Sequence, residues 1–170
     1  IHSLNYTKKK FKKEFNKNFD DCFELDVNYQ IRSASIAQIY KAKFKNNEIA
    51  EYNNDIVIKV VHPEIKFQMF FPILFIRFYL FCVETIYFLK KYDTIFNIES
   101  FLENLIKQID MINELENIKY FYNRYKNNDS IMIPQPITAS KNFLLMEYLE
   151  GEILENLDVS DLIKQEITIL

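Results

Sequence analysis

The chain of 170 residues holds a single glycine, Gly151. Glycine reaches positive φ without steric cost and lets a backbone come close to a phosphate. With only one, every motif built on two or more is excluded. There is no G-x-G-x-x-G dinucleotide or kinase loop, no Walker A loop and no G-x-S-x-G nucleophile elbow. Hairpins that turn on Asn-Gly or Gly-Gly are excluded as well.

Other residue types narrow the field further. The chain carries 24 Asp+Glu against 21 Lys+Arg, a formal net charge of -3. That gives no global basic field, and nucleic acid is not expected as a partner. Apolar residues make up 49% and aromatic residues 16%, too much for a disordered segment and enough for one domain with a real core. Cys22 and Cys82 lie far apart, so no C-x-x-C motif exists; two free thiols are expected, with one disulfide left open. His2 and His62 are the only histidines, so H-E-x-x-H is absent and any Ser-His or Cys-His pair would need one of them. The chain opens on Ile1, which suggests part of a longer protein with any targeting peptide out of view. Ile, Asn, Lys, Phe and Tyr dominate in the manner of an AT-rich genome, and the asparagine runs are discounted as interaction signals.

Along the chain, residues 6–19 read as a short basic helix capped by Thr7, with Phe11, Phe15 and Phe19 on one stripe. The surrounding lysines suit either a solvated face or anionic headgroups. Residues 23–44 read as a β-hairpin with Phe23, Leu25, Val27 and Tyr29 alternating, and 46–54 as a loop. Ile56, Val57, Ile58, Val60 and Val61 form a β-branched run that predicts a central strand, interrupted by Lys59 and ended by Pro63. Residues 64–92 are aromatic-rich and predict a buried or interfacial helix pair, with membrane-surface insertion as the other reading. Pro72, Arg77 and Glu84 break the segment short of the roughly 20 apolar residues a membrane span needs.

Residues 97–126 predict one long helix with the stripe Ile98, Leu102, Leu105, Ile109 and Ile112. Glu114 heads a second stripe with Ile118, Phe121 and Tyr125, so its carboxylate must reach solvent or find a cation. Two strands follow, at 131–137 and 142–149, turned by Lys141-Asn142. Gly151 marks a break, and a further helix is expected from about Ser160.

This order of elements is that of a protein-kinase N-terminal lobe, in which a strand lysine holds the α- and β-phosphates of ATP and a helix glutamate fixes the lysine. Ile56-Val57-Ile58-Lys59 has the strand context, apolar flanks and terminal lysine of V-A-I-K. Taken alone, a lysine in a β-run is also a common edge-strand guard. The neighbouring segments add to the match. Residues 32–42, Arg-Ser-Ala-Ser-Ile-Ala-Gln-Ile-Tyr-Lys-Ala, resemble the alanine-rich loop of the ABC-one/UbiB-type atypical kinase-like family, the ubiquinone-biosynthesis kinase relatives. Residues 107–117, Lys-Gln-Ile-Asp-Met-Ile-Asn-Glu-Leu-Glu-Asn, resemble its Q-x-D-x-x-x-E-A-x-N helix, with Leu115 replacing a small Ala. Residues 57–63 resemble its V-x-V-K-V-x-H-P strand, and residues 144–151 its hinge strand.

The resemblance covers roughly residues 30–151 and implies an α+β fold. It is a kinase-like N-terminal lobe with an antiparallel sheet of about five strands, inserted and flanking helices, and no C-terminal lobe. On this reading residues 1–170 form one partial kinase-like domain with the hinge near 146–151. The implied ligand is ATP or ADP. Lys59 would contact the α/β-phosphates and pair with Glu114; Ala34, Ser35, Ala37 and Gln38 would form the loop over the phosphates. Met146 would be the gatekeeper, and Glu147, Tyr148 and Leu149 the hinge. Gln108 and Asp110 match a regulatory helix motif that meets an upstream K-x-G-Q segment not present in the chain. The nineteen residues after Gly151 hold no catalytic-loop or D-F-G-like motif, and Asp158 and Asp161 lie too near the hinge. Mg²⁺ binding and phosphoryl transfer are therefore expected only with a C-terminal lobe. The family also implies ubiquinone or mitochondrial lipid metabolism at a membrane, with a lipid or a ubiquinone-pathway partner. A pseudokinase or scaffold, using the aromatic helices to bind a membrane or a protein, is the alternative.

Overall fold

A computed structural model describes residues 2–26, 32–45, 55–85 and 98–151. The loop expected at 46–54, Val27 and Tyr29 of the hairpin, the end of the aromatic segment at 86–92, Asp158, Asp161 and the helix from Ser160 lie outside them. The centre of the fold is strand β4 (Ile56–Val61), the β-branched run read from the sequence. It pairs antiparallel with β3 (Ala37–Phe44) on one side and with β6 (Phe143–Glu147) on the other. Strands β1 (Phe23–Leu25) and β5 (Pro136–Ala139) complete the order β1-β3-β4-β6-β5. The sheet has six strands, not five, because both β1 and the two-residue β2 (Arg32–Ser33) lie antiparallel to β3. The strand expected at 131–137 starts only at Pro136; Ile131 and Met132 are exposed.

Strand alternation divides the core in two. Ile56, Ile58 and Val60 join Tyr40, Phe143 and Leu145 beneath helix α1 (Leu4–Phe15) and the single turn α2 (Phe19–Cys22). The phenylalanine stripe is the docking face: the Phe11 ring lies 4.6 Å from Phe15, 5.4 Å from Phe19, 5.3 Å from Phe23 and 5.6 Å from Phe143. Glu14 secures the helix to the β5–β6 turn by accepting from Ser140 Oγ and Asn142 Nδ2. Lys8 pairs with Asp20 and Lys10 with Glu14. The cap is Ser3, whose hydroxyl accepts from the Tyr6 N–H, not Thr7. Thr7 is fully buried inside the helix. The helix stops at Asn16 in the left-handed conformation, φ 54°, so Phe19 falls in α2.

The other face of β4 meets α5 (Met111–Tyr125) through Val61, Leu144, Met111 and Leu115. The single helix expected over 97–126 is two, α4 (Ile98–Lys107) and α5. Asp110 divides them: its carboxylate accepts the Ile112 N–H at 3.0 Å and starts a new helix where the old one would have continued. Of the buried or interfacial helix pair expected at 64–92, the described residues hold one helix, α3 (Ile65–Thr85), and it is not buried. Phe67, Phe70, Phe71, Leu74, Phe75, Phe78, Tyr79 and Phe81 are all exposed along it. No helix among the described residues is long and apolar enough to cross a membrane. Cys22 and Cys82 are free thiols.

His2 precedes the cap of α1, its ring 4.9 Å from Tyr6 and 5.1 Å from His62. Burial first, and then His62, lower its pKa from 6.5 to about 4. The unfolded chain therefore binds this proton before the folded one does. The contribution of neutral His2 to stability is complete above pH 6.5, declines as pH falls towards about 4, and is gone below it. Urea denaturation across this range is expected to show that decline in the wild type and a shallower one in His2→Gln. Phe11→Ala, which empties the centre of the ring cluster, is expected to cost about 3–5 kcal/mol, read as a lower denaturation midpoint.

Candidate functional site

Lys59 stands midway along β4 and points to the α5 face with Val57 and Val61. Ile39 and Leu144 are its cross-strand partners, so the stem lies between apolar neighbours and only the ammonium emerges. Glu114 meets it from the first turn of α5, with Lys59 Nζ 2.7 Å from Oε1 and 2.9 Å from Oε2. The side chains are 17% and 29% exposed, so the pair is partly shielded from water and its charge-assisted bonds are the strong kind. Three features place the glutamate: the Asp110 cap, a Met111 N–H bond to the Lys141 carbonyl, and burial of Met111 and Leu115. A carboxylate in the first helical turn is further favoured by the helix dipole.

The alanine-rich segment forms the β2–β3 hairpin at the end of the sheet. Ala34 and Ser35 are exposed at its tip. Ala37 and Gln38 are not in the loop; they are the first residues of β3 and are 0% and 1% exposed. Gln38 pairs with Val60, not with Lys59, so the two-residue period sends its side chain to the α1 face. There it bonds the Tyr40 hydroxyl and the His2 N–H. A direct role for Gln38 over a phosphate is thereby excluded by geometry. Ala37 lies on the Lys59 face, opposite Val61.

A cavity of about 530 Å³ opens beside Glu114, lined by Ile36, Asn104, Lys107, Gln108, Asn113, Glu114 and Asn117. Gln108 thus shares a cavity with Glu114. Asp110 does not line it; its carboxylate is spent on the α5 cap. Asn113 and Asn117 also line the cavity; Asn117 lies one helical turn from both Asn113 and Glu114, which groups the three there. Asparagine is so frequent in this chain that residue type alone does not mark these two.

Met146 is half-buried on the Lys59 face beside Val57. The chain after it is held at both sides. Glu147 exchanges backbone and side-chain bonds with Gln135, and the Tyr148 N–H bonds the Asp55 carbonyl. Lys41 sits 4.1 Å over the Tyr148 ring and 2.8 Å from Asp55, which also binds Lys43. Their hydrogen bond raises the Lys41 pKa and lowers that of Asp55. Tyr148 and Leu149 are half-buried where β6 runs out.

A strand lysine clasped by both oxygens of a helix glutamate, in an antiparallel sheet capped by a hairpin, defines the N-terminal lobe of a kinase-like fold. A family model described as the ABC1 atypical kinase-like domain matches residues 2–168, and the chain belongs to that family. It is 23% identical over 154 residues to the ABC1 family protein MCP2 of Saccharomyces cerevisiae, covering 89% of this chain and 26% of that protein. It is 26% identical over 145 residues to the probable protein kinase UbiB of Vibrio cholerae, covering 85% and 24%. With the probable serine/threonine-protein kinase abkB of Dictyostelium discoideum it shares 29% over 171 residues, covering 87% and 22%. The chain spans about a quarter of the length of the curated relatives it matches. A solved structure of Rv3197 with erythromycin, from Mycobacterium tuberculosis, superposes with a TM-score of 0.65 at 14% identity, over 88% of this chain and 36% of that one.

A double-mutant cycle on Lys59→Met and Glu114→Gln is expected to return a coupling of about 1–3 kcal/mol by urea denaturation. Additive single effects would mean that the two groups do not interact in solution.

Proposed function

We propose that the chain is the nucleotide-binding N-terminal lobe of an atypical kinase or ATPase-like protein. The bidentate Lys59–Glu114 pair is the observation that carries this reading. A lysine held on a central strand by a helix carboxylate offers its remaining hydrogen to a phosphate oxygen without reorganising. ATP or ADP is the ligand, with its α- and β-phosphates at Lys59 and beneath the hairpin tip of Ala34 and Ser35. Ala37 supports the hairpin from the strand. Adenine lies against Met146 and the departing segment Glu147, Tyr148 and Leu149. Among the described residues there is no cluster of three or more His, Cys, Asp or Glu side chains. Metal binding and phosphoryl transfer belong to a C-terminal lobe.

The wider setting is part of the same proposal: ubiquinone or mitochondrial lipid metabolism, at a membrane. The row of exposed aromatic side chains on α3 supports a contact with lipid or with an apolar partner. It equally favours a second reading, a pseudokinase or scaffold in which Lys59–Glu114 is structural. The two part over metal-ligand motifs in the full-length protein, which the enzyme reading requires.

In the full-length protein, Lys59→Ala is expected to weaken Mg-nucleotide binding by about 10- to 100-fold, the equivalent of one charge-assisted hydrogen bond. Isothermal titration measures it; unchanged affinity would remove Lys59 from the site.

A further inference from the structure

We propose that His62 is a positioning residue that fixes the glycine-free hairpin over the phosphates, and that His2 holds its ring in place. This rests on the nucleotide reading above. The need for such a residue comes from the turn. Ser33 pairs with Gln38, and the Ala34 N–H bonds the Ala37 carbonyl at 2.8 Å, leaving Ser35 and Ile36 as a two-residue turn. Two-residue turns that match the twist of a hairpin have positive φ at one or both central positions. Among the described residues only Asn16 has positive φ, so Ser35 and Ile36 do not. The turn is of the kind that splays its strands unless something outside holds it.

His62, at the end of β4, supplies the hold. Its N–H bonds the Ile36 carbonyl at 3.0 Å, and its ring Nε2 lies 3.2 Å from both the Ala34 carbonyl and Ser33 Oγ. Three residues of the hairpin, Ser33, Ala34 and Ile36, are thus tied to one histidine.

The state of that ring follows from its partners. A carbonyl only accepts, so Nε2 of His62 carries a hydrogen, and in the neutral ring Nδ1 is bare. His62 Nδ1 lies 2.9 Å from His2 Nδ1, so His2 donates from Nδ1 and its Nε2 accepts from Thr7 Oγ at 3.0 Å. Thr7 in turn accepts from Tyr40 at 2.9 Å, and Tyr40 from Gln38 Nε2 at 2.6 Å. Gln38 Oε1 closes the circuit by accepting the His2 N–H at 2.9 Å. Thr7, Gln38 and Tyr40 are at most 2% exposed, so these orientations are not negotiable with water. The circuit therefore sets the tautomer of the neutral His62 ring, with Nε2–H aimed at the loop.

The test is made on the full-length protein. Mg-ATP titration is expected to show His62→Leu weakened by about tenfold or more, the worth of one lost hydrogen bond. His62→Gln, whose amide N–H can reach the Ala34 carbonyl, is expected to stay within about threefold of wild type. A long-range proton–nitrogen spectrum at neutral pH is expected to show His62 protonated at Nε2 and His2 at Nδ1. Wild-type affinity in His62→Leu overturns the positioning role. The nucleotide reading falls separately, only if Lys59→Ala also binds like wild type. Should His62→Leu fail to fold, the other arms decide: loss of affinity in His62→Gln, or His62 protonated at Nδ1 alone, overturns the proposal.

Discussion

A lysine in the middle of a sheet is the constraint around which this fold is arranged. Every other residue of β4 is apolar and buried or nearly so, and Lys59 alone brings a charge into that row. Leaving an ammonium there without a partner is costly. The solution is a carboxylate delivered from a second element, which fixes where α5 must start and how it must be turned. The Asp110 cap, the Met111 bond to the Lys141 carbonyl and the burial of Leu115 all serve that placement. The cavity before Glu114 then follows, because α5 turned in this way presents Asn113 and Asn117 beside the glutamate.

What could be read from the sequence was what depends on local composition. A β-branched run is a central strand in almost any context, and a glutamate at the head of an apolar stripe needs a cation wherever it sits. Lys59 and Glu114 were legible on those grounds. The misplaced features depend instead on parity and on competition. One residue of register decides whether Gln38 faces the phosphates or α1, and the alanine-rich pattern carries no mark of it. Asp110 could extend a helix or cap one, and the apolar stripe on both sides of it suited either. Thr7 satisfied the rule for a cap while Ser3, four residues earlier, did the work. His2 and His62 stand 60 residues apart, and no local pattern around either marks their convergence.

Phenylalanine reaches opposite outcomes in α1 and α3, because the two helices differ in what surrounds it. In α1 the rings fall on one stripe among lysines, which gives the helix one face for the sheet and one for water. In α3 both faces are apolar: Met69, Ile73, Ile76 and Leu80 take the less exposed side, and Phe67, Phe70, Phe71, Phe75, Phe78 and Phe81 fall together on the other, where they remain exposed. An apolar surface of that extent is what the proposed contact with lipid or an apolar partner rests on.

The scarcity of glycine has its main consequence at the hairpin, not at Gly151. That residue has no positive φ, and a Cβ there would meet nothing within 4 Å, so the backbone at that point does not require glycine. At the tip of the β2–β3 hairpin, where positive φ would be natural, Ser35 and Ile36 stand instead. A glycine-rich loop gains its close approach to phosphate from conformational freedom, and loses entropy each time it orders. A loop of residues with side chains has less freedom to lose, but its one conformation must be supplied by its surroundings. Here the surroundings are the end of β4, through the backbone and ring of His62, and behind it a buried circuit that reaches into α1. The start of α1 and the loop over the site are thereby parts of one hydrogen-bonded unit, so displacing the first residues of that helix would be felt at the hairpin tip.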